Sequence, residues 1–421
     1  MRRFLWPLGL AATLFSPIIS QAQPAPPSPA HDQSQAATDA GSGSLTLDQA
    51  LALAATRSPF LTAAQRELEA SGGAVQQAGV LRNPELSALL EDTNKETRTT
   101  TGVVSFPIEL GGKRAARVAA AERGQDVARA ELSNANAQLK STVIAAFFGV
   151  LVAQERVRLA TSSAEIASKG ADVTARRVAA GKISPVDETR AQVEKANAQL
   201  ELSEAEAELF NARQTLVAQW GAAVPLFTEA RGDLDNLPAR ANSETLQREL
   251  LQSPSLRASR MEVDRRRALV DVENSKRYSD VTLSVGAKRD NELGRTQAVV
   301  GVSVPLPFFD RNQGNVYEAR KRAEKAEEEY QYAQIRLTNE LSSASKQLEV
   351  SRASAQTLKA AVLPAAQLAY EAATKGFEAG KFGFLDVLDA QRTLLQARVR
   401  YLNALASSYQ AATSIDRILG H

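Results

Sequence analysis

The chain has 421 residues, with 50 basic and 48 acidic side chains and a net charge near +2. That balance argues against nucleic acid as the main partner, which usually leaves a strong basic excess. Cysteine is absent and histidine occurs only as His31 and His421, so disulfides, thiolate metal sites, a catalytic cysteine and a Ser-His-Asp triad are excluded or disfavoured. Aromatics make up 5% of the sequence. With Ala, Glu, Gln, Arg and Leu abundant, this composition points to long helices.

The N-terminus sets the compartment. Met1-Arg2-Arg3 is basic, Phe4 to Ile19 is mostly apolar, and Ser20-Gln21-Ala22 offers small residues to a signal peptidase. Residues 1–22 therefore read as a secretory signal cut after Ala22. A membrane anchor fits less well: Pro7 and Pro17 interrupt the run, and it falls short of the roughly 20 residues that span a bilayer. No other stretch of 18 apolar residues occurs. A mature chain residing in a membrane would have to do so as a β-barrel. Residues 23–44, with Pro24, Pro26, Pro27 and Pro29, read as a disordered leader.

The rest is written twice. Ser58-Pro59 recurs as Ser253-Pro254, and Val104-Ser105-Phe106-Pro107-Ile108 as Val302-Ser303-Val304-Pro305-Leu306. Ala180-Gly181-Lys182, with Asp187 beyond, recurs as Ala379-Gly380-Lys381 with Asp386, and Gly221 matches Gly420. The unit is too long for a solenoid repeat and reads as a duplicated half: repeat one over 45–221, a linker over 222–242, repeat two over 243–421. Each half predicts a first helix (46–80; 243–276), two strands, a very long helix (112–179; 313–378) and a last helix (185–220; 384–419).

The strands carry a period of two. Val281, Leu283, Val285 and Ala287 alternate with Thr282, Ser284, Gly286 and Lys288, and Ala298, Val300, Val302 and Val304 alternate with Gln297, Val299, Gly301 and Ser303. Leu86, Ala88 and Leu90 alternate with Glu85, Ser87 and Glu91, although Leu89 breaks the polar face. Such strands have one apolar face, and about nine residues suffice for a tilted membrane strand. Four strands cannot close a barrel, which needs about eight, so a membrane reading demands an oligomer; ordinary hairpins packed on helices are the alternative.

The 112–179 helix would reach roughly 100 Å. In the second long helix Val316, Ala319, Ala323, Ala326, Tyr330, Ala333, Leu337, Leu341, Ala344 and Leu348 step by three or four, a coiled-coil-like seam. Pro364, without a counterpart in the first repeat, predicts a kink or break. The charge run from Arg320 to Glu329 reads as a solvated face with i,i+4 pairs. Gly111-Gly112 is no phosphate loop, because the Gly-x-x-x-x-Gly-Lys-Ser/Thr frame is absent.

This order of elements behind a signal peptide resembles the trimeric TolC-like outer-membrane factors of Gram-negative tripartite efflux and export systems. The resemblance covers residues 45–420. Its most specific segment is Phe377-Glu378-Ala379-Gly380-Lys381-Phe382-Gly383-Phe384-Leu385-Asp386-Val387-Leu388-Asp389-Ala390-Gln391. Phe106-Pro107-Ile108-Glu109-Leu110-Gly111-Gly112-Lys113-Arg114 and Pro305-Leu306-Pro307-Phe308-Phe309-Asp310-Arg311-Asn312-Gln313-Gly314 are similar to the heavy-metal branch, the outer-membrane component of cobalt–zinc–cadmium resistance pumps. The resemblance implies a mainly α chain with a small β part. Four transmembrane strands per chain would form a 12-stranded β-barrel, continued by a 12-helix α-barrel through the periplasm, in a homotrimer set in outer-membrane lipid. It implies a periplasmic adaptor and an inner-membrane proton-driven RND pump as partners, no cofactor and no enzymatic activity. Family members with a lipidated N-terminal cysteine exist; here anchoring is left to the barrel.

Within that frame Asp386 and Asp389 would give a trimer six carboxylates near the tip, a ring that attracts cations and can constrict a pore. The local alternative is capping, since acids in a first turn stabilise the helix dipole and Ser184-Pro185-Val186-Asp187 reads as a capping box. Asp389 corresponds to Arg190, which is positioned to pair with an aspartate of a neighbouring helix and hold the tip closed. Gly181 and Gly380 would reverse the chain, and Lys182, Ile183, Lys381, Phe382 and Phe384 would form the tip surface that meets the adaptor, or pack within the hairpin. No residue set fits a metal site, leaving a passive duct. The same channel carrying drugs or a secreted protein, and a soluble periplasmic coiled-coil adaptor, are the competing readings.

Overall fold

A computed structural model describes residues 43–421; the expected signal peptide and all but the last two residues of the expected leader lie outside the described residues. In chain order the elements are β1 (Ser44–Leu45), α1 (Leu47–Arg57), α2 (Pro59–Gly79), β2 (Glu85–Glu91), β3 (Thr99–Ile108), α3 (Lys113–Ala179) and α4 (Pro185–Ala218). Then follow β4 (Glu229–Ala230), α5 (Ser243–Leu250), α6 (Pro254–Ser275), β5 (Val281–Asp290), β6 (Arg295–Ser303) and α7 (Gln313–Thr357). A π-helical turn over Leu358–Val362, α8 (Leu363–Glu378) and α9 (Phe384–Leu419) complete the chain.

Both first helices are split, where one helix each was expected. Ser58 and Ser253 are extended, and Pro59 and Pro254 open new helices. A residue before proline is driven out of the α region, while proline itself suits a helix's first turn. The ends of the repeats meet these breaks: Gly221 lies against Pro59 and Gly420 against Pro254, so close that a Cβ on either glycine would press on the ring.

Pro364 does not break its helix. The helix instead inserts the π turn just before the proline and continues as α8. A wider turn absorbs the missing N–H and the ring clash that an α-helix would suffer. Upstream, every residue of the predicted α7 seam from Val316 to Leu348 is buried or half-buried.

The helices lie side by side as an arc. Near the sheet the order is α2, α3, α6, α7; further away it is α4, α3, α9, then α8. The 67-residue α3 runs through both levels, about 100 Å at 1.5 Å per residue, and α7 also packs along α9. Two related cores fill the waist. Leu139, Val143 and Val150 of α3 pack with Ala50, Ala54 and Leu216. Leu337, Leu341 and Leu348 of α7 pack with Leu246, Leu250 and Ile415.

The linker is part of the waist, which its composition did not foretell. Glu229–Ala230 pairs in parallel with Ser44–Leu45. The buried Gln154 amide takes the place of a third strand, donating to the Ala230 carbonyl (3.0 Å) and accepting from its N–H (2.7 Å). The Tyr409 hydroxyl reaches the carbonyls of Asp233 and Asn236. Two-residue strands have no periodicity to read.

A candidate channel wall and its helical tip

The sheet runs β2-β3-β5-β6, antiparallel throughout. Its register sorts the side chains. Leu86 lies opposite Val104, Val104 opposite Val285, and Val285 opposite Val300. Directly opposed residues share a face, so Leu86, Val104, Val285 and Val300 make one apolar row; Phe106, Leu283 and Val302 make the next. Among the described residues nothing covers this face: Val300 is 77% exposed. The other face carries Ser87, Thr101, Ser105, Ser284, Lys288 and Gln297. Ser105 and Ser284 hydroxyls meet at 3.0 Å, and Lys288 lies 3.6 Å from Glu91. Leu89 does fall on this polar face, opposite Thr101.

A charge network joins sheet to helices. Glu109, just past β3, meets Arg117 at 2.5 Å and Arg82 at 3.3 Å. Asp280, just before β5, meets Lys113 at 2.5 Å and Arg82 at 3.1 Å. The Arg117 hydrogen bond holds the Glu109 carboxyl below its usual range. Burial would raise Asp280, but the bonds from Lys113 and the Leu110 N–H outweigh it and lower it. Arg82 serves both acids and so ties α3 and both inner strands into one rigid corner.

The far end holds the residues singled out in the sequence. Gly181 and Gly380 sit at φ +68° and +72°, the left-handed region that favours glycine. Beyond each, Lys182 N–H reaches the Arg177 carbonyl and Lys381 N–H the Gly376 carbonyl, closing the helix ends as Schellman turns. Lys182 and Lys381 are exposed and Ile183 is half-buried. Phe382 folds back on Gly376, where a Cβ would strike its ring, yet stays 51% exposed. Phe384 is the first residue of α9.

The acids divide between two tasks. Asp386 accepts the Gly383 N–H at 2.8 Å, a capping role. Asp389, one turn on, is exposed, with the charge of Arg392 close by. The Ser184 hydroxyl accepts the Val186 N–H (3.3 Å), but Asp187 does not complete the expected capping box: among the described residues its partner is Arg190, 3.8 Å away on the same helix. Within one chain Arg190 thus pairs along its own helix rather than across to another. The tie between hairpins is one that spacing did not reveal. Arg392 of α9 donates to Glu194 of α4 at 2.6 Å, and this bond raises the arginine's pKa. Arg177 of α3 covers the Phe377 ring at 4.1 Å. Among the described residues no group of three or more His, Asp or Glu side chains could hold a metal ion, and no helix is long and apolar enough to cross a membrane.

The family model described as "Outer membrane efflux protein" matches residues 50–222 and 245–421. The cobalt-zinc-cadmium resistance protein CzcC of Cupriavidus metallidurans is 57% identical over the whole of both chains. The nickel and cobalt resistance protein CnrC of the same organism is 34% identical over 67% of each. Among solved structures, the CmeC outer membrane channel of Campylobacter jejuni superposes with a TM-score of 0.78 over 89% of this chain and 85% of its own, at 18% identity.

Proposed function

The chain belongs to the outer membrane efflux protein family, and from that membership we propose that three copies close into a channel exporting divalent heavy-metal cations of the cobalt, zinc and cadmium type. As a family member it is an efflux channel component of the outer membrane and not an enzyme. Cargo is argued from the full-length likeness to CzcC.

The observation that carries the closed channel is the arc with two free edges at every level. β2 and β6 are edge strands, and unpaired strand edges cannot stand in lipid. Joining β6 of one copy to β2 of the next pairs both, and three copies give twelve strands, enough to close. Below, α4 exposes Val186, Val193 and Leu200, a strict seven-residue step, while Ala191, Ala198 and Ala205 of its other face are buried. An apolar heptad stripe on an open edge is a seam awaiting a helix. On the opposite edge α8 exposes Leu368 with Ala365 and Ala372, and the π turn before it exposes Ala361, a surface small enough for close approach.

In the closed form the sheet's apolar face would meet lipid and its polar face the lumen. The helical part would cross the periplasm. The tip, with Asp386, Asp389, Lys182, Lys381 and Phe382, would face a periplasmic adaptor, beyond which a proton-driven inner-membrane pump supplies the energy. Exposed carboxylates at a narrow mouth favour cations electrostatically; among the described residues no ligand set would trap them.

Deletion of the gene in its native host, with retained zinc, cobalt and cadmium measured beside a lipophilic dye, tests the cargo. Metal retention reversed by re-expression is expected. Dye retention at normal metal content would keep the channel and replace the cargo. Fractionation with outer membranes and migration as a trimer test the assembly.

A further inference from the structure

The four strand–helix junctions are brought together into a collar by specific contacts. The Arg114 Nε donates to the Gly79 carbonyl at 2.7 Å, joining the start of α3 to the end of α2. Tyr278 packs on Gly111. The Asn312 amide donates to the Glu273 carbonyl at 2.8 Å, joining the start of α7 to the end of α6; Asn312 takes φ +57° to do so.

Two properties of this collar are unexplained by the channel wall. The first is apolar exposure beyond the end of the sheet. Val302 ends the outward series of β6, and Val304, Leu306, Phe308 and Phe309 follow past the last strand residue, at 46%, 67%, 69% and 95% exposure. Pro305 and Pro307 interleave them and contribute no N–H, so the segment presents few backbone donors that would need water. The second is a one-sided charge. Glu109, Asp280 and Glu273 turn inward to Arg117, Lys113 and Lys276. Arg277 and Arg311 remain exposed, and among the described residues neither has an ion-pair partner. Asp310 and Glu85 are exposed acids nearby, and Asp310 accepts the Asn312 N–H at 2.8 Å.

Resting on the barrel reading above, we infer that this collar binds anionic phospholipid of the membrane's periplasmic leaflet. Phe308 and Phe309 seat at the boundary of headgroup and acyl chain, and Arg277 and Arg311 engage lipid phosphate. The surface is continuous with the lipid-facing rows of the sheet, which selects a bilayer over a soluble partner. Exposed aromatic rings favour the interface depth, and exposed arginines at that depth pair with phosphate. The collar thus anchors the channel at the periplasmic leaflet.

The test uses the full chain in phosphatidylcholine vesicles with and without phosphatidylglycerol, carrying Phe309→Trp or, as a depth control, Val300→Trp. Trp220 is buried at the waist, far from lipid, and supplies a constant background; Trp6, in the expected signal segment, is replaced by Phe in every sample. Lipids brominated near the headgroup should quench the Phe309→Trp emission about twofold more than lipids brominated at the chain end, with the reverse order for Val300→Trp. Phosphatidylglycerol co-purifying with the trimer should fall about fivefold for each of Arg277→Ala and Arg311→Ala, the effect of one basic group at an anionic surface. Quenching of Val300→Trp without Phe309→Trp would overturn the inference and leave the barrel standing; an accompanying loss of trimer in Phe309→Ser would make a second copy the occupant. Quenching of neither would overturn the barrel reading itself. Unchanged phosphatidylglycerol in the arginine variants would overturn the anionic preference.

Discussion

Removing the Arg392–Glu194 tie should open the tip. The two side chains belong to different hairpins, α9 and α4, and meet at 2.6 Å with Glu194 16% and Arg392 57% exposed. Any movement that parts the hairpins breaks this bond, so it weighs against opening. A pair whose arginine is exposed to solvent contributes about 0.2–1 kcal/mol. Three such pairs in a trimer that opens in concert sum to about 0.6–3 kcal/mol, or roughly 3- to 140-fold in the open population at 1.4 kcal/mol per decade. Arg392→Ala and Glu194→Ala should each raise the open probability of the purified channel in planar bilayers by a factor in that range. The double variant should do no more than either single one, because both remove the same bond. Arg392→Lys, which keeps the charge but loses the fork, should fall between. Independent, additive effects of the two single variants, or unchanged gating in both, would refute the tie as a restraint on the tip.

Other consequences are as direct. At Gly286→Ala the new methyl would collide with the Gly102 carbonyl and the Val103 Cα of the adjoining strand; overpacking against backbone costs about 1–3 kcal/mol, and the fraction migrating as a heat-modifiable trimer should drop. Gly380→Ala places a Cβ at φ +72°, a cost of about 1–2 kcal/mol, and should speed proteolysis at the tip without changing the melting of the waist. Leu341→Ala empties a site 2% exposed and should cost about 2–5 kcal/mol, read as a lower urea midpoint. Asp235 is held below its ordinary carboxyl value of 3.8 by hydrogen bonds from Tyr401 and Lys359. A lowered folded pKa stabilises above the unfolded value and is lost as pH falls through the folded one, so Asp235→Asn should melt earlier at neutral pH, with the gap closing as the pH falls below the ordinary carboxyl value of 3.8.

Much of the wall was legible because its signals are local and periodic. The period-two segments at 281–287 and 297–304 became β5 and β6, and the seam from Val316 to Leu348 became the buried face of α7. The reversal at Gly181 and Gly380 followed from what a helix end requires of its backbone. The splits at Pro59 and Pro254 were written in the sequence as repeated Ser-Pro pairs, because proline drives the residue before it out of the α region and so divides what apolar spacing alone reads as one helix. The tip was harder to read. Asp386 became a cap and Asp187 an intrahelical partner, because an acid in a first turn has a backbone donor and a following arginine within reach. Glu194 and Arg392 lie in different repeats, and nothing in either helix's own spacing announces the other.

The sequence by itself determined the duplication, the long helices, the amphipathic strands and the sites of chain reversal, since each depends on residues within a few turns of one another. Only the tertiary structure decided which charges face inward, which edges stay open and where the two repeats hold together. Gln154 standing in for a strand, Arg82 shared between Glu109 and Asp280, and Arg392 reaching Glu194 all join residues remote in the chain. Their partners are selected by how the helices pack side by side, and packing is a property of whole faces rather than of any local pattern.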